Sequence, residues 1–164
     1  WRNQIMKTFV VYDSFFGHTE KVAQAIANAL ESKCEVSLRR VNEVTPEQLQ
    51  GVELLVAGSP TRGFMMSEQT AAFIKTIPAG GIQGMKVAAF DTRMPIKDVN
   101  NIIYTVFSSL FGFAAKKIAQ RLEKKGGTLL LPPEGFAVKG SEGPLKEGEL
   151  ERAAEWGRQL AGKI

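Results

Sequence analysis

Lys7-Thr8-Phe9-Val10-Val11-Tyr12-Asp13-Ser14-Phe15-Phe16-Gly17-His18-Thr19-Glu20 passes from a β-branched and aromatic run through a glycine turn into a helical pattern. Lys7 to Tyr12 reads as a strand, and Val22, Ile26 and Leu30 recur at four-residue spacing after Thr19. The turn therefore joins a strand to an amphipathic helix. At such a junction free backbone amides and the positive helix end face the same space, which suits an anion. Hydroxyls at Ser14 and Thr19 flank Gly17, so the turn can hold a phosphate without a lysine; on the plainer reading they only cap the helix. It is not a Walker loop, and the dinucleotide pattern of three spaced glycines is absent, since Gly17 stands alone between strand and helix.

The same alternation continues along the chain. Val36 to Arg40, Leu54 to Gly58, Val87 to Asp91 and Thr128 to Leu131 read as further strands, giving five. Between and after them run helical patterns: Ala71, Phe73 and Ile74 after Ser67, then Ala115, Ile118, Ala119 and Leu122 ending at Gly126, then Leu150, Ala153, Ala154, Leu160 and Ala161. Strands apolar on both faces and alternating with helices predict an α/β three-layer sandwich, a parallel sheet covered on both sides by right-handed crossovers. Gly135 to Gly148 reads as a loop leading to the final helix. Within 98–113, Ile102, Ile103, Val106, Phe107, Leu110 and Phe111 recur at helical spacing. Core packing is the simplest fate of that helix; an exposed stripe would instead mark a partner surface, such as a homodimer contact through 98–113.

Composition bounds the function. The chain has 164 residues, 44% hydrophobic and 23% charged, enough for one compact domain, read as 6–164. Trp1 to Ile5 precede Met6 and are read as a vector-derived or upstream extension. Uncharged apolar runs stay well short of about 20 residues, so no membrane insertion is expected. A net charge of +4 and a pI near 9.3 come from scattered cations, so no nucleic-acid partner is expected. Cys34 is the only cysteine, which excludes an intrachain disulfide or thiolate metal cluster and suits a reducing, cytoplasmic compartment. His18 is the only histidine, too little for a triad or metal centre, leaving it as a phosphate-side donor or an exposed loop residue. Asp13 ends a strand as in a phospho-accepting receiver domain, but Gly58-Ser59 stand where a further Asp would be needed.

Ligands of open α/β sheets bind beyond the carboxyl ends of the strands. Two further loops lie there, Gly58-Ser59-Pro60-Thr61-Arg62-Gly63-Phe64-Met65-Met66-Ser67 and Phe90-Asp91-Thr92-Arg93-Met94-Pro95. With the first turn they gather amides, hydroxyls and apolar side chains, a combination that suits a planar aromatic ligand carrying a phosphate. Tyr12 to Lys21, Gly58 to Thr61 and Phe90 to Arg93 resemble the three flavin mononucleotide (FMN) loops of the flavodoxin family, and Gly140-Ser141-Glu142-Gly143-Pro144-Leu145 resembles its approach to the last helix. The resemblance covers Met6 to Ile164 and implies a flavodoxin-like five-stranded parallel sheet in the order 2-1-3-4-5, with helices on both faces and FMN at its carboxyl edge.

By that resemblance Ser14, Phe15, Phe16, Gly17, His18 and Thr19 surround the ribityl phosphate. Pro60, Thr61, Arg62, Gly63 and Phe64 line one side of the ring, and Asp91, Thr92, Arg93 and Met94 the other. Two departures stand out. Phe16 replaces a hydroxyl usual in electron-carrier flavodoxins, and Phe64, Met65 and Met94 replace the usual Trp and Tyr against the flavin. Arg62 and Arg93, opposed only by Asp91, are expected to favour the reduced, anionic flavin. The resemblance implies an FMN-binding redox protein passing electrons between protein partners. Its alternatives are an FMN-dependent NAD(P)H:quinone-type reductase, whose corresponding loops also look similar, and a flavodoxin-fold binding module that has lost flavin.

Overall fold

The computed structural model describes residues 5–164; Trp1 to Gln4, within the segment read as an extension, lie outside the described residues. Strands β1 (Met6–Tyr12), β2 (Cys34–Arg40), β3 (Leu54–Pro60) and β4 (Lys86–Arg93) form parallel pairs in the order β2-β1-β3-β4. The fifth strand is broken. Thr128–Leu129 (β5) and Glu134–Ala137 (β6) both pair in parallel with β4, one beside its start and the other beside its end. The sheet thus follows the expected 2-1-3-4-5 path, with its last position shared by two short pieces separated by Pro132 and Pro133. Proline has no N–H to give a ladder, which is why pairing lapses there. Part of the stretch read as a loop, Gly135 to Ala137, is therefore sheet; Pro132, Pro133 and Gly135, which read as turn formers, hid the strand.

Helices α1 (His18–Leu30), α2 (Glu68–Thr76), α3 (Ile102–Phe111), α4 (Ala114–Lys124) and α5 (Glu149–Ala161) complete the fold. Because side chains alternate along a strand, Phe9 and Val11 face one way and Val10 and Tyr12 the other, and two separate cores result. Phe9, Val11, Leu55 and Ala57 meet Phe73 and Ile74 of α2 and Ile118 and Leu122 of α4. On the opposite face Val10, Val56 and Phe90 meet Val22 and Ile26 of α1 and Trp156 and Leu160 of α5. Trp156, which the spacing of α5 did not bring out, is buried edge-on against Phe90 at 6.2 Å and Phe136 at 6.3 Å. Helix α3 joins neither core, so core packing is not its fate.

At the carboxyl edge the packing is tight where it supports the loops. The ring of fully buried Phe90 lies against Gly58, at the β3 end, where an added Cβ would fall within the ring itself. Gly58→Ala must displace this ring and is expected to destabilise the fold by about 1–3 kcal/mol, read from the midpoint of urea unfolding.

Candidate functional site

The first turn takes its shape from Gly17, whose φ of 89° and ψ of −2° place it in the left-handed region at the N-terminus of α1, with no side chain capping the helix. The first-turn amides of the helix have no intrahelical partner and remain available to an anion. Ser14 Oγ accepts the Gly17 N–H at 3.0 Å, folding the turn, while its own O–H remains free to donate. Thr19 is 1% exposed, and its hydroxyl bonds that of Thr92 at 2.8 Å, tying the turn to the end of β4. Two hydroxyls sharing one hydrogen bond leave one proton to donate elsewhere.

Beneath the turn lies a charged pair that the sequence did not reveal. Asp13 accepts the Ser14 N–H on Oδ1 at 2.9 Å, and its Oδ2 is buried without a hydrogen-bond partner. Arg40, at the end of β2, approaches Asp13 at 3.6 Å, donates to the Ser14 carbonyl at 3.3 Å and lies over Tyr12. Its charge offsets a carboxylate that would otherwise oppose an anion bound above it.

His18 is not an exposed loop residue. Its Nε2 donates to the Glu142 carbonyl at 2.7 Å, and a Cβ at Gly143 would overlap its imidazole. It thereby draws 141–143 against the start of α1.

The second loop is a tight hairpin in which Arg62 and Met65 exchange both backbone hydrogen bonds at 3.0 Å. Gly63 and Phe64 at its tip have φ of 55° and 63°, the left-handed pair that such a two-residue turn requires. For Phe64 this conformation is strained by roughly 1–3 kcal/mol. Its ring is held by Tyr104 at 4.9 Å and Phe113 at 5.9 Å, and its carbonyl accepts from Lys117 at 2.6 Å. Arg62 reaches back over Phe15 at 5.0 Å and Phe16 at 6.0 Å, joining the first and second loops by cation–π contact.

In the third loop Asp91 is completely buried and receives both Arg93 Nε and Nη2 at 2.7 Å, together with the Ala115 N–H at 2.8 Å. Burial pushes its carboxyl above the usual carboxylate range, opposed by the Arg93 bonds and charge. The Arg93 guanidinium lies 4.0 Å from the Phe113 ring centroid and against Gly135, where a Cβ would overlap it.

These parts enclose a cavity of about 310 Å³ at the carboxyl edge. Ser14, Phe15, Phe16, His18 and Thr19 line it from the first turn, Pro60 through Phe64 from the second loop, and Thr92, Arg93 and Met94 from the third. Gly17 shapes the turn without lining the cavity, and two expectations are corrected. Asp91 does not line the cavity but is held in the interior by Arg93, so the opposing charge expected of it is spent on Arg93 and does not reach Arg62. Met65 points away, 45% exposed, with its sulfur taking a bond from Lys117. Phe16 keeps 47% of its surface exposed beneath Arg62.

Tyr104, Val138, Ser141 and Gly143 also line the cavity and were missed. Tyr104 donates to the Met94 carbonyl at 2.8 Å, and burial holds its phenol above the ordinary value, keeping that proton in place. It sits off the apolar stripe of α3, which was its one signal in the sequence. Ser141 and Gly143 lie in the stretch resembling the approach to the last helix.

A parallel α/β sheet with an anion-ready strand–helix turn and an aromatic cleft at its carboxyl edge defines the mononucleotide-binding class of doubly wound proteins. The flavodoxin family model matches residues 10–156. A flavodoxin of Aquifex aeolicus is 29% identical over 94% of this chain and 85% of its own length, and an NAD(P)H dehydrogenase (quinone) of Caulobacter vibrioides is 25% identical over 94% and 95%. A solved flavodoxin from the domain Archaea is 25% identical and superposes with a TM-score of 0.73 over 96% of this chain and 98% of its own. The chain belongs to the flavodoxin family. It is accordingly an FMN-binding electron-transfer flavoprotein, and its own residues fit the cofactor: an open glycine turn for the phosphate and an apolar, aromatic cleft for the ring.

The Asp91–Arg93 pair gives the site a structural test. Asp91→Ala leaves a largely buried guanidinium unpaired and the α4 N-terminus without its acceptor, and is expected to cost about 3–5 kcal/mol in denaturant unfolding.

Proposed function

We propose that the chain passes electrons between protein partners through FMN bound with its phosphate at the Ser14–Thr19 turn and its ring between the second and third loops. The observation carrying this reading is the occupation of the polar groups around the cleft. His18 is committed to Glu142, Arg93 to Asp91 and the Tyr104 hydroxyl to Met94. Among the described residues lining the cavity no carboxylate is present, and the His18 Nε2–H and Tyr104 O–H are already donated, which suits a carrier whose chemistry is supplied by the flavin. Buried, free Cys34 is compatible with a reducing compartment.

A reductase acting directly on NAD(P)H and a quinone is the second reading. It is favoured by similarity to the Caulobacter vibrioides enzyme and by Arg62, which no carboxylate pairs among the described residues and which lines the cavity, where it could receive an anionic substrate. Turnover of NADPH with a quinone in the absence of an added reductase selects this reading; its absence leaves the carrier. Protein that stays colourless with excess FMN would mark a module that has lost its flavin.

Calorimetric titration of apo-protein is expected to show FMN binding well above riboflavin. Ser14→Ala is expected to weaken FMN by about 1.5–3 kcal/mol, the worth of a hydrogen bond to a charged group, with riboflavin unchanged. Equal affinity for the two ligands would remove the phosphate from this turn. Since Arg93 is neutralised, the electrostatic effect on the ring falls to Arg62. Arg62→Ala is expected to lower the midpoint potential of bound FMN by on the order of 40 mV, the one-electron equivalent of about 1 kcal/mol for a solvent-screened unit charge, checked by spectroelectrochemistry.

A further inference from the structure

Helix α3 is the least covered of the five α-helices among the described residues. Ile102, Ile103, Val106, Leu110 and Phe111 expose 80%, 61%, 50%, 71% and 50% of their surfaces, and Ser108 alone of its residues is buried. At 3.6 residues per turn these side chains span about half the helix circumference, wider than the roughly 100° stripe that packing on a single neighbouring layer uses. No charged residue occurs between Ile102 and Phe111, whereas cations stand at both ends. Lys97 is exposed in the turn before α3; beyond its end Lys116 lies beside Gly112, and Lys117 is 5.9 Å from the Phe111 ring centroid. Asp98, the one carboxylate in residues 94–121, is paired with Lys146.

We propose that α3 is an interfacial anchor that seats this chain on an anionic lipid bilayer, with its apolar face at the acyl boundary and the exposed Lys97 and Lys116 among the headgroups. Ten residues of helix extend about 15 Å, half the ~30 Å hydrocarbon core, so α3 lies in the interface and does not cross it. At its end the chain turns at Gly112, φ 71°, and α4 returns to the sheet with Ile118 and Leu122 buried. An apolar helix face bordered by cations matches both requirements of an interfacial segment, acyl contact and attraction to anionic lipid. A symmetric contact with a second copy through α3 would instead bring the same lysines of a +4 chain toward one another. Seating on lipid does not depend on flavin, but Tyr104 places it beside the cleft, since the same helix lines the cavity.

The FMN-loaded full chain is sedimented with phosphatidylcholine vesicles with and without phosphatidylglycerol, alongside Ile103→Ser/Leu110→Ser and Lys97→Glu/Lys116→Glu double variants. Wild type is expected to pellet with the anionic vesicles, and partition is expected to fall about tenfold or more on pure phosphatidylcholine and in each variant. Circular dichroism and FMN affinity, expected to be unchanged, show that the variants are folded. Failure of wild type to pellet overturns the proposal. So does loss in the lysine variant alone, which marks an electrostatic surface of the kind an acidic protein would meet. A wild-type dimer in analytical ultracentrifugation that the serine variant abolishes, without vesicle binding, assigns the face to a second copy and equally overturns it.

Discussion

Asp91 organises the carboxyl edge. It sits at zero exposure near the end of β4, and its carboxylate gathers Arg93 from its own strand and the Ala115 amide from the start of α4. A charge this deep persists only when its lone pairs are occupied, so each partner is fixed in place by the need to satisfy it. Arg93 is thereby pressed between Phe113 and the Gly135 backbone, which seats β6 beside β4. The α4 start then presents its Ala114 N–H to the Thr61 hydroxyl at 3.1 Å, and the Thr61 amide bonds the Thr92 carbonyl at 2.9 Å. Second and third loops are thus joined directly by the Thr61–Thr92 backbone bond and again through the α4 start that this buried group holds.

The first turn reaches the same frame through the Thr19–Thr92 hydroxyl pair and through the Asp13 N–H donated to the Gly58 carbonyl at 3.1 Å. On its other side, His18 holds 141–143 and Arg62 spans the two aromatics of the turn. Three loops distant in sequence therefore meet around the cleft through contacts that are individually modest. Polar groups directed inward are mostly spent on holding the loops, which leaves the cleft wall to Phe64, Met94, Tyr104 and Val138. A pocket built this way offers a planar group mainly apolar and aromatic walls.

Much of this was legible beforehand. Periodicity alone separates strand from helix over β1, α1, β3 and α4, because residues buried on a sheet between two helical layers must be apolar on both faces, and such runs are conspicuous. The Ser14–Thr19 turn and the two later loops were visible as glycine-, proline- and hydroxyl-rich stretches after strands, and nearly all the residues expected in them line the cavity. Asp91 was legible as a charge opposing the arginines, but which of them it takes, and that it is turned into the interior, were not. Whether Arg93 faces a ligand or the Asp91 carboxylate depends on its rotamer and on Phe113 and Gly135, far from it in the chain.

The sequence by itself determined the layered α/β architecture and the location of the glycine turn between the first strand and helix, since both follow from local period and from residues adjacent along the chain. Only the tertiary structure decided that Asp91 turns inward, that Arg40 lies under the turn, that Tyr104 reaches the cleft, and that the apolar face of α3 stays outside both cores. Each of these depends on which distant groups compete for the same space or the same hydrogen bond. A one-dimensional pattern carries no record of that competition.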